Sequence, residues 1–143
     1  MSKVDQAVES FCGGQACSQA IVGTYGTDYG LTHEQAMKLG AGFAGGMRLA
    51  ETCGAVTGAF MVLGLKHAGD HCDQRDGRDA VYAALADFVE RFKQRNNSVV
   101  CKELLGCDIS TPAGGQKATQ EGLFRTICPK LVQDAAEILE EMA

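Results

Sequence analysis

Cysteines are the residues here whose type could do chemistry, and of the seven, Cys17, Cys53, Cys101 and Cys128 fall within or at the start of stretches that read as helices. Cys53 opens the run Cys53-Gly54-Ala55-Val56-Thr57-Gly58, and the stretch Gly40 to Gly46 just before it reads GAGFAGG. A glycine loop, a Thr-Cys pair and then small residues describe a cysteine at the start of a helix. There the unsatisfied N–H groups and the positive dipole end favour thiolate over thiol. Cys53 is therefore expected to be the most acidic thiol of the chain. Cys101 opens a short run closed by Gly106, and Cys128 precedes Pro129, which suits a first helical turn, so both also fall at or near helix starts. Thiolates gathered at one point suit a soft metal, an iron–sulfur cluster or a reactive dithiol. The bland alternative is a structural or interaction protein whose thiols are packed as inert small hydrophobes.

The composition narrows the setting. A chain of 143 residues fits one domain with one core, and 45% apolar content is ordinary for a globular protein. A net charge of -5 and a pI near 5.1 argue against a nucleic-acid surface, which needs a basic face. No signal peptide is visible at Met1 to Gly14, and the longest apolar stretch, Gly54 to Leu65, is too short to span a bilayer. The expectation is a cytoplasmic protein without membrane insertion. Seven cysteines, an odd count with no export signal, shift weight from a disulfide framework to metal binding or redox chemistry.

The elements that must position the cysteines read as helices. Val4, Ala7, Val8 and Phe11 form one face of a first helix, expected to continue through Cys17, Ala20 and Ile21. Cys17 then lies inside that helix, facing the core. Gly13 and Gly14 weaken the helix by about 1 kcal/mol each relative to alanine, and mark either a break or a close approach of another backbone. Thr32 and Gln35 make a capping box for a second helix carrying Ala36, Met37, Leu39 and Phe43. The helix from Cys53 is apolar nearly all round and reads as buried. Its Gly54 and Gly58, with Ala55 and Ala59 beside them, form a face that admits a close neighbour, and a homodimer through that face is one expectation. Val81, Leu85, Phe88, Val89 and Phe92 stripe a fourth helix, and Leu131, Val132, Ala135, Ile138, Leu139 and Met142 stripe the last, with Cys128 as its N-cap. A short helix spans Cys101 to Leu105, and Cys107 to Glu121 reads as loop. No alternating strand appears. The expectation is an all-α, single-domain bundle of about five helices over residues 1–143, with a glycine-rich loop before the central helix.

Two other patterns are set aside. Gly40, Gly42 and Gly45 satisfy GxGxxG, but a helix rather than a strand precedes them, so dinucleotide binding is not inferred. His67, His71 and Cys72, with Asp70 nearby, lack a fourth zinc ligand at fitting spacing and read as a solvated turn. Arg48 lies close to Cys53 in sequence and is either a thiolate stabiliser or a surface charge.

Together the motifs resemble the redox-active family defined by the C_GCAxxG_C_C pattern. They are Ala16-Cys17-Ser18-Gln19-Ala20, Gly42-Phe43-Ala44-Gly45-Gly46, Cys53 to Ala59, Cys101-Lys102-Glu103-Leu104-Leu105-Gly106 and Cys128-Pro129. The resemblance spans nearly the whole chain. It implies that Cys17, Cys53, Cys101 and Cys128 are the family's four cysteines and that their role is redox. They are the candidate catalytic residues and, in the alternative, the candidate ligands of an iron–sulfur cluster or another thiolate-bound metal. Gly45, Gly46 and Gly54 are the residues expected to let a cofactor or sulfur partner come close. Similar domains stand beside an iron centre in some multi-haem proteins, but no C-x-x-C-H occurs here, so c-type haem is not expected. Cys12, Cys72 and Cys107 are extra to the pattern. The redox partner is not legible.

Overall fold

A computed structural model describes residues 1–143 as an all-α protein. Nine α-helices follow in order: α1 (Lys3–Cys12), α2 (Cys17–Tyr25), α3 (His33–Gly40), α4 (Gly54–His67), α5 (Arg75–Asn96), α6 (Cys101–Leu105), α7 (Pro112–Gln120), α8 (Leu123–Thr126) and α9 (Cys128–Glu141). The expected count of about five is therefore too low, for reasons local to three segments.

The first expected helix is two. The Gly13 N–H bonds back to the Glu9 carbonyl at 2.8 Å, Gly14 takes φ 117°, and the chain turns before α2 begins at Cys17. Glycine at position 14 makes this turn accessible where a side chain would strain it. The expected loop after Cys107 holds α7. The Thr111 hydroxyl accepts from the Gly114 N–H at 3.0 Å, and Pro112 sits in the first turn. Finally, α8 is a single extra turn before α9. Ile127 is the N-cap of α9, and Cys128 is its first helical residue rather than its cap.

The capping box at α3 forms as expected, with Gln35 N–H donating to the Thr32 hydroxyl at 3.1 Å and Thr32 N–H donating to Gln35 Oε1 at 2.9 Å. The core surrounds α4. Phe60 meets Phe88 of α5 edge-on at 6.2 Å, Phe88 stacks on Phe92 at 6.0 Å, and Val132, Ala135 and Ile138 of α9 are fully buried. The small-residue face of α4 is occupied within the chain. A side chain at Gly58 would meet the Ser18 carbonyl at 3.0 Å and Ile21 Cβ at 3.1 Å, so α2 lies directly on it. The surface on which a homodimer was expected is thus already covered by α2. No helix is long and apolar enough to cross a membrane.

Candidate thiol site

Each of the four cysteines stands where a helix begins. Cys17, Cys101 and Cys128 are the first residues of α2, α6 and α9, and Cys53 is the N-cap of α4. Cys17 thus departs from the expected helix interior. Gln19 Oε1 accepts from the Ala16 N–H at 3.0 Å and closes the start of α2 one residue before the cysteine. The Ser18 hydroxyl donates to the Gly40 carbonyl at 2.6 Å, and Gln19 Nε2 donates to the Met37 carbonyl at 3.0 Å. These bonds fix α2 against the end of α3, where the glycine run starts.

The glycine run leads into a left-handed turn. Gly45, Gly46, Met47 and Arg48 take φ of 63°, 63°, 59° and 62°, and Ala50 takes 55°. Left-handed backbone costs about 1–2 kcal/mol for each residue that carries a side chain. The turn needs glycine at Gly46, because a Cβ there would collide with the Glu51 backbone. It delivers the chain to an antiparallel bridge between Thr52 and Val100. Around that bridge the Cys53 N–H donates to the Val99 carbonyl at 2.8 Å, and the Cys101 N–H donates to the Glu51 carbonyl at 2.5 Å. One short bridge therefore ties the backbones of Cys53 and Cys101 together, although they are far apart in sequence. Cys128 is positioned by α9, whose buried Asp134 accepts from Arg95 at 3.2 Å and Asn96 at 3.1 Å, both on α5, and from Lys130 at 2.7 Å.

The result is one small apolar cavity of about 170 Å³ lined by Cys17, Cys53, Cys101 and Cys128. Phe11, Leu104, Leu105, Ile109, Phe124 and Leu131 complete most of its wall, and Arg48 is its only charged residue. Of the three glycines expected at the site, Gly45 and Gly54 line the cavity and Gly46 does not. Gly54 packs so closely on Cys17 that a Cβ there would overlap the Cys17 sulfur.

Electrostatics reverse the expectation for Cys53. Burial pushes its thiol well above the ordinary range, and the nearby Cys17 adds to the rise, while the N–H groups of Ala55 and Val56 oppose it too weakly. Cys53 is 6% exposed, so desolvation of the thiolate outweighs the helix-start donors. The same burial pushes Cys101 up to about 11 and Cys128 to about 12, with Cys17 again adding to both. Cys17 is raised by burial as well, yet it alone meets opposing N–H groups from several segments: Gly45, Ser18 and Gly54. A charge on Cys17 raises the other three.

All seven cysteines are free thiols. Cys107 is half-buried just past α6 and, with Asp108, adds to the rise at Cys101. Cys12 and Cys72 are exposed, and Cys72 lines a separate groove with Leu39 and Leu65. His67 Nε2 is buried without a hydrogen-bond partner. No three His, Cys, Asp or Glu side chains anywhere in the chain come close enough to hold a metal ion. The four thiols are thus the donor types a soft metal takes, but they are not spaced around a single ion.

Sequence reasoning did not find the cavity wall of Phe11, Leu104, Ile109 and Phe124, since each is one apolar residue among many. Two signals for the Cys17 helix start were present: Gly13-Gly14, and Gln19 placed three residues after Ala16.

In this all-α fold, four helix starts bring four cysteines to one cavity. The profile of the family described as "Putative redox-active protein (C_GCAxxG_C_C)" matches residues 15–142, and the chain belongs to that family. No curated protein and no solved structure matches it.

Proposed function

We propose that the protein transfers electrons by cycling its cavity cysteines between thiols and a disulfide, with Cys17 as the attacking thiolate. The observation that carries this reading is the shared cavity: four cysteines distant in sequence line one small apolar space. Membership of a family described as redox-active supports it.

The chemistry balances as thiol–disulfide exchange. The Cys17 thiolate attacks one sulfur of a disulfide on a redox partner. A mixed S–S bond forms, the partner's S–S bond breaks, and the departing sulfur leaves as a thiolate that takes up a proton. A second cavity thiol loses its proton and attacks the Cys17 sulfur of the mixed bond. The cavity disulfide forms and the second partner sulfur leaves. Two electrons and two protons pass to the partner, and the reverse sequence reduces the cavity. Burial holds the thiols protonated at neutral pH, and the N–H groups of Gly45, Ser18 and Gly54 support the charge at Cys17 when it appears.

A second reading, in which the same sulfurs hold an iron–sulfur cluster or another soft metal, is favoured by the donor set alone. Anaerobic purification followed by an absorption spectrum, metal analysis and a count of free thiols before and after a mild thiol oxidant separates the two. The expected result is a colourless protein without stoichiometric metal that loses cavity thiols in pairs. Visible charge-transfer absorption with stoichiometric metal overturns the first reading in favour of the second.

A further inference from the structure

Arg48 and Phe124 are the two residues of the cavity lining most open to solvent, and they stand at its edge. Arg48 is the only charge there, and it is held without a partner. The acid nearest to it in sequence, Glu51, pairs with Lys102 at 3.3 Å, and Asp108 accepts from the Ser110 N–H at 2.9 Å. Nor does the guanidinium lead among the influences on the four thiols, which are burial, backbone N–H groups, the other thiols and Asp108.

The backbone beneath Arg48 is strained. Met47 and Arg48 both take positive φ, and the turn is closed by the Glu51 N–H donating to the Gly46 carbonyl at 3.3 Å and anchored by the Thr52–Val100 bridge. Strain of this kind persists where the surrounding structure over-determines it, and it collects at ligand sites. An unpaired arginine beside an apolar mouth offers a planar fork of donors to one oxyanion.

We propose that Arg48 and Phe124 form an entrance site that selects a small thiol-reactive molecule carrying a carboxylate or similar oxyanion. The guanidinium takes the anion, Phe124 covers the apolar part, and the reactive end reaches the thiols. This rests on the reading that the cavity thiols are the reactive groups. In a chain of net charge -5, such a site also supplies the local attraction that the molecule as a whole denies to an anion.

Iodoacetate and iodoacetamide test it, since they share one reaction and differ by a carboxylate. Reduced full-length protein is alkylated with each, and the rate at every cysteine is read by mass mapping, with exposed Cys72 as the outside reference. Arg48→Gly removes the cation and suits the positive φ, so the fold is retained. The iodoacetate-to-iodoacetamide rate ratio at the cavity cysteines should fall roughly fivefold in Arg48→Gly, the size of one unit-charge contact across water. The ratio at Cys72 should not move, Arg48→Lys should recover most of the loss, and high salt should shrink it. Equal ratios in the wild type and Arg48→Gly overturn the proposal. So do cavity cysteines that react with neither reagent while Cys72 reacts, because the rim is then no entrance. A ratio that depends on Arg48 in a protein whose cavity never forms a disulfide leaves the entrance standing and removes the redox cycle instead.

Discussion

At the scale of single residues, the decisive contest is between burial and hydrogen bonding at sulfur. Cys53 has the helix-start position that lowers a thiol pKa in open settings, yet its burial sends it the other way. Cys17 meets three opposing N–H groups on other residues. We therefore expect Cys17→Ser to abolish exchange with a small disulfide, whereas Cys53→Ser leaves the first, mixed-disulfide step in place. Trapping of the mixed disulfide followed by mass mapping checks this, and a trapped adduct at Cys53 in preference to Cys17 contradicts it. The raised pKa values also set a pH dependence with a definite sign. A thiol titrates near about 8.5 in an unfolded chain, and Cys101 titrates at about 11 in the folded one. The folded state thus holds its proton longer, so this contribution to stability is complete below about pH 8.5 and is lost as pH rises through about 11. Denaturant midpoints measured across that range should fall in the wild type and fall less steeply in Cys101→Ala.

At the scale of elements, the close approach of α2 to α4 is what brings Cys17 to Cys53. Gly54 allows it by leaving space for the Cys17 sulfur, and Gly58 by admitting the Ser18 backbone. Gly54→Ala forces the two helices apart and should cost about 1–3 kcal/mol, the usual range for overpacking. It should also slow disulfide formation at Cys17 beyond what the lost stability explains, as read from thermal unfolding alongside the rate of thiol loss. The left-handed turn makes the opposite prediction. Met47→Gly removes a side chain from φ 59° and should stabilise the fold by about 1 kcal/mol. A destabilised Met47→Gly would show that the Met47 side chain contributes more than the turn costs.

At the scale of the whole molecule, the helical class and the main stripes were legible because a buried helix face repeats in sequence. Phe88 and Phe92, and Leu131 through Leu139, lie where their periodicity puts them. Thr32 and Gln35 announced their cap because both bonds are local. The four cysteines of the cavity were legible as residue numbers, and their environment was not. Cys17 was assigned to a helix interior because apolar Ala20 and Ile21 follow α1 closely and Gly13-Gly14 fit a close backbone approach as well as a break, and α7 was hidden because Gly114 and Gly115 mask a helix that Thr111 and Pro112 start. The acidity of Cys53 could not be read at all, since it depends on how much apolar surface closes over the sulfur. In the proposed cycle the shared cavity makes these cysteines a redox couple. Equilibrating the protein anaerobically in thiol–disulfide buffers over a wide range of ratios, then alkylating and mapping every cysteine, shows whether they are one. The predicted result is a two-electron transition that joins Cys17 to one of Cys53, Cys101 and Cys128, with Cys12 and Cys72 outside it. Cavity cysteines that stay free at every ratio, or disulfides that form only at the exposed Cys12 and Cys72, would contradict it.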